Sequence, residues 1–61
     1  MKTIYKDYYG NVMAITVQKN GNAVLKCWYG GKCWHNKKYA SEKGAKIALG
    51  RMCDVYYQVK D

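Results

Sequence analysis

Three clusters of glycine, asparagine and aspartate punctuate the first half of the chain: "DYYGN" at 7–11, "KNGN" at 19–22 and "YGGK" at 29–32. Each lies between segments rich in β-branched and aromatic residues, which is the pattern of an antiparallel meander.

The register of one hairpin follows from side-chain alternation. Segment "VMAITVQ" (12–18) puts Met13, Ile15 and Val17 on one face. Segment "NAVLKCWY" (22–29) puts Ala23, Leu25, Cys27 and Tyr29 on one face. A three-residue loop, Lys19-Asn20-Gly21, brings both sets to the same side, with Gly21 in the left-handed conformation. A two-residue Asn-Gly loop would slip the register by one and bury Lys26. The next hairpin pivots on Gly30-Gly31, which suit a two-residue primed turn. Tyr29 then opposes Lys32, Trp28 opposes Cys33 and Cys27 opposes Trp34. That register sends Trp34 to the core face with Leu25 and Cys27, and leaves Lys26, Trp28, Cys33 and His35 on the other.

After Tyr39 the period changes. Ser41 is a helix N-cap candidate, followed by Glu42 at the positive end of the dipole. Ala45, Ala48, Leu49 and Met52 stand at i, i+3, i+4 and i+7, so a helix is predicted over 42–52 with one apolar stripe. Ile47 points away from that stripe. "DVYYQVK" (54–60) alternates again and reads as a final strand, and "KTIYK" (2–6) as a first strand anchored by Ile4. The predicted fold is α+β: one domain over 1–61, an antiparallel β-meander sheet with one α-helix packed on one face, in the order ββββαβ. Its other sheet face is left to solvent.

Sixty-one residues bury only about 60% of their unfolded surface. Eleven basic residues face four acidic ones, Asp7, Glu42, Asp54 and Asp61, for a net charge of +7. Such a field attracts nucleic acid or an acidic protein surface. Seven tyrosines and two tryptophans are more rings than a small core holds.

Metal, disulfide and catalytic readings carry less. Cys27, Cys33, His35 and Cys53 lack the spacing of a zinc knuckle, and the register above divides them between faces. An odd cysteine count and no leader-like start fit three free thiols and a cytoplasmic chain. One histidine and four scattered carboxylates build no catalytic set, and no cofactor is expected. The chain is read as a non-enzyme.

The basic-aromatic surface remains. Lys26, Trp28, His35 and Lys37 are placed on the face away from the helix, with Lys32 and Lys38 at its borders. Tyr56 and Lys60 extend it if the last strand joins with that parity. Rings on a sheet stack with unpaired bases, and lysines collect phosphates. Ten of the eleven cations are lysine rather than arginine, the commoner reader of guanine, so weak sequence preference is expected.

"WYGGKCW" at the second turn and "ASEKGAKIAL" opening the helix resemble, in layout, AP2-type and integrase arm-binding domains over Ala14 to Leu49. The resemblance implies DNA binding by the sheet, although the family's base-reading arginines have no counterparts here. The alternative function is a small non-enzymatic inhibitor or accessory factor, of the kind mobile elements encode. It would dock an acidic or nucleic-acid-handling protein and use Tyr8, Tyr9, Tyr56 and Tyr57. No membrane partner is expected, and an edge strand offers a route to a homodimer.

Overall fold

In the computed structural model, which describes residues 2–59, the chain runs through β1 (Lys2–Asp7), β2 (Asn11–Val17), β3 (Ala23–Tyr29), β4 (Lys32–Tyr39), α1 (Glu42–Met52) and β5 (Tyr56–Val59). The strands form one antiparallel sheet in the order β4-β3-β2-β1-β5, and α1 packs across β2, β3 and β4 on one face. This is the expected ββββαβ architecture.

The β2–β3 loop takes the three-residue form. The Gln18 N–H donates to the Asn22 carbonyl at 2.8 Å, closing the ladder around 19–21. Gly21 has φ +91°, where a side chain would strain the backbone. Ile15 therefore faces Leu25 and Met13 faces Cys27. Lys26 stays on the outside. The Gly30-Gly31 turn is also as expected, with φ of +60° and +83° and Tyr29 opposite Lys32.

The core lies between this face and α1. Met13, Ile15, Leu25 and Cys27 of the sheet are sealed beneath Ala45 and Leu49 of the helix. Ala45 has no bulk beyond Cβ, so the helix sits close to the sheet and drives Leu49 inward. Full burial of a leucine of this kind contributes about 1.5–3 kcal/mol. The helix starts at its expected cap, where the Ser41 hydroxyl accepts the Gly44 N–H at 3.1 Å. It ends at Cys53, whose N–H donates to the Leu49 carbonyl. In β1 the residue that reaches the core is Tyr5; the expected anchor, Ile4, faces the other way, paired with Ala14 and Val59.

Two parities differ from expectation. In β4, Trp28 opposes Cys33 as expected, but Cys27 opposes His35 rather than Trp34. Trp34 is an extra residue, accommodated as a β-bulge. One extra residue inverts every later side chain. His35, Lys37 and Tyr39 consequently turn toward the helix side, and Asn36 and Lys38 toward the open side. The gain is in packing: Tyr39 joins the core periphery, a place that a regular ladder would have given to Lys38.

In β5, Tyr56 pairs with Asp7 and Tyr57 with Lys6. Tyr56 therefore lies on the helix side, edge-on to Tyr5 at 5.5 Å, and packs on the core. Tyr57 and Val59 occupy the open face instead. Lys60 lies outside the described residues.

Candidate nucleic-acid interface

The ladder registers arrange the uncovered face in three rows that cross the strands. Nearest the glycine turn stand Cys33, Trp28, Val12, Lys6 and Tyr57. The middle row is Asn36, Lys26, Ala14, Ile4 and Val59. The last is Lys38, Val24, Thr16 and Lys2. Each row exists because every strand alternates and neighbouring strands are held in register by the loops described above.

The first row puts two rings on one line. Trp28 and Tyr57 stand three strands apart, roughly 14 Å at the usual strand spacing. Lys6 and Val12 lie between them. Tyr8 extends the aromatic end, its ring 5.4 Å from that of Tyr57. Trp28 is half-buried among its neighbours on the face, whereas Tyr57 is 44% exposed. Ile4, Val12, Val24 and Val59 are half-buried with no helix over them, and Ala14 is closed over by its neighbours. The face is thus an apolar floor that carries Lys2, Lys6, Lys26 and Lys38, all exposed. Among the described strand residues the one carboxylate, Asp7, belongs to the helix side, where it meets Cys53. Positive charge on the open face is therefore not neutralised by a neighbour within the sheet.

Of the eight residues expected at this surface, three come together on it: Lys26, Trp28 and Lys38. Lys32 is exposed beside the glycine turn, with the opposite parity. His35 and Lys37 lie on the helix side because of the bulge, and Tyr56 because it pairs with Asp7 across the β1–β5 ladder. His35 is 3.3 Å through Nε2 from the Tyr39 hydroxyl, and Lys37 sits 5.7 Å from the centre of the Tyr39 ring. Lys2, Lys6 and Tyr57 take the vacated roles. The alternation of "KTIYK" already put Lys2, Ile4 and Lys6 on one side; what was missing was the choice of Tyr5 as the core anchor.

The far end of the helix side is organised by Asp7. Its carboxylate accepts the Tyr9 and Asn11 N–H groups at 2.9 and 2.8 Å, the Asn11 side-chain amide at 2.7 Å and the Cys53 thiol at 3.4 Å. Burial alone would raise its pKa, but the Asn11 side chain, the two backbone donors and the thiol outweigh that, and the carboxyl is held below 3.8. Asp7 thus acts as the closure of the β1–β2 loop.

The three cysteines are free thiols. Cys27 is buried, and its pKa is pushed up to about 11, first by desolvation and then by the other two thiols. The Cys53 thiol is raised by burial and by Asp7. Cys33 is exposed and donates to the His35 carbonyl at 3.3 Å. Among the described residues no group of three or more His, Cys, Asp or Glu side chains is placed to hold a metal ion. No helix there is long and apolar enough to cross a membrane.

No known protein family, no curated protein and no solved structure matches this chain. The likeness to AP2-type and integrase arm-binding domains therefore stays one of element order, and β1 and β5 widen the sheet beyond that layout.

Proposed function

We propose that this protein binds nucleic acid through the uncovered face of its sheet, chiefly by phosphate attraction and base stacking, with weak sequence preference. The observation that carries the reading is the open face itself: four exposed lysines distributed around Trp28 and Tyr57, with the strand carboxylate turned to the opposite side. Lysines between and beside the rings suit a backbone that passes over the sheet while its bases lie on the aromatic surfaces. An open, ring-bearing face favours unpaired strands, whose bases are free to stack. Lysine supplies point charge without the forked geometry that reads guanine, so the contacts position the strand more than they select its sequence.

The test is binding of a short single-stranded oligonucleotide, followed by anisotropy at low salt. Trp28→Ala should weaken binding by the loss of one stacked base, about 1–3 kcal/mol or roughly five- to 150-fold. Lys26→Glu should weaken it as well, while Lys32→Glu, outside the rows, should change it much less. Equal affinities for the first two variants and the parent would remove the basis of the proposal.

A further inference from the structure

A second surface lies on the other side of the molecule, along the free edge of the sheet. β4 is an edge strand eight residues long, so among the described residues one side of its backbone has no strand neighbour. Beside it a groove of about 370 Å³ runs between β4 and the helix, lined by Lys37, Tyr39, Ile47, Ala48, Arg51 and Met52 among others. The helix contributes a second stripe here. Gly44, Ile47, Ala48 and Arg51 stand at i, i+3, i+4 and i+7, rotated from the core stripe. This explains Ile47, which the core leaves 51% exposed. Met52 is 39% exposed, and Trp34, which stays on the expected helix side beside Cys27, Leu49 and Met52 despite the bulge, is 50% exposed. Large apolar side chains and an unpaired strand edge thus occur together.

Charge decides what such an edge accepts. β4 carries Lys32, Lys37 and Lys38, and the groove adds Arg51; neither β4 nor the groove lining has a carboxylate. A second copy of β4 would bring three more lysines into the same ribbon, and lysine on an edge is a recognised obstacle to self-pairing. A homodimer through β4 would have to bring these like charges together. An extended segment with acidic and apolar residues in alternation fits instead. On the helix side its side chains meet Ile47 and Met52 together with Lys37 and Arg51, and on the open side they meet Lys38, so acids are accepted on both sides and apolar residues on the groove side alone.

We propose that the outer edge of β4, with the adjoining groove, docks an extended acidic segment of a partner protein, which adds to the sheet as a sixth strand. The main chain supplies affinity through ladder hydrogen bonds, and the groove supplies selection for apolar residues at every second position. The groove itself lies apart from the open-face rows, and Lys38 is the residue the two surfaces share, so Ile47→Asp tests this site and Trp28→Ala the open face.

The experiment is a titration of the full chain with a blocked peptide of alternating glutamate and leucine, read by tryptophan fluorescence and by amide hydrogen exchange. A peptide of the same composition with all glutamates first serves as the comparison. The expected result is binding at least tenfold tighter for the alternating peptide, with exchange of β4 amides slowed and β5 amides unchanged. Ile47→Asp, an exposed-site change that leaves the core intact, should reduce affinity at least tenfold, and Lys26→Glu on the open face less than twofold. Equal binding of both peptides would mean charge attraction alone and would overturn the proposal. So would protection confined to β5, or an oligonucleotide that protects β4 where the peptide does not.

Discussion

Asp7 is the residue on which the most hydrogen bonds of the described side chains converge. Because four donors hold its ionised form, the folded state binds the proton less readily than the unfolded chain does. Its contribution to stability is complete above 3.8, the ordinary aspartate value, and is lost as pH falls below it through the depressed folded value. Thermal melts should show the midpoint dropping with acid below about pH 4. Asp7→Asn should flatten that drop while lowering the midpoint at neutral pH. The cysteines make a second residue-level prediction. At pH 8, mass spectrometry after brief alkylation should find Cys33 modified first and Cys27 last, since Cys27 is both sealed in the core and held as a thiol by its raised pKa. Rapid modification of Cys27 in the native state would mean that the helix does not cover β3 as described.

At the scale of elements, the helix depends on its first turn. Ser41→Ala removes the hydroxyl that satisfies the Gly44 N–H, and should cost about 1 kcal/mol, or a fall of roughly 4–8 °C in melting midpoint for a domain this small. An unchanged midpoint would show that Glu42 or solvent replaces the cap. The three turns, the helix limits and the β2–β3 register are legible in the amino-acid sequence because each is written locally: a glycine with positive φ, a serine cap, an apolar stripe. The β4 parity is not. Nothing in "KCWHNKKY" marks Trp34 as the extra residue; the bulge is selected by a distant preference, the packing of Tyr39 rather than Lys38 under the helix. The β5 parity is equally hidden. It depends on which strand β5 joins, and it joins β1, on the far side of the sheet from β3 and β4 under the helix. Those two long-range choices take His35, Lys37 and Tyr56 off the expected site and bring Tyr57 onto it. Lys26, Trp28 and Lys38 stay on the open face, the first two because the β2–β3 loop fixes them and Lys38 because the bulge carries it there from the border.

For the whole molecule, the division of labour is by sheet face. One face is covered by the helix and closes a core of modest size. The other is an apolar floor ringed by lysine, uncovered by any element of the described chain. In the proposed function, the net charge of +7 supplies the long-range attraction and the rows the place where it acts. Ionic strength puts a number on this attraction. If Lys2, Lys6, Lys26 and Lys38 each displace counterions from a single strand, the plot of log affinity against log salt should have a slope of roughly −3. Replacing Lys6 and Lys26 together by glutamine should bring it to roughly −1.4. That pair of salt titrations, on one oligonucleotide, is the most direct measurement of nucleic-acid binding by the open face. A parent slope near −3 that halves in the double variant is the predicted result. A slope that is near zero, or that the double variant leaves unchanged, would contradict it.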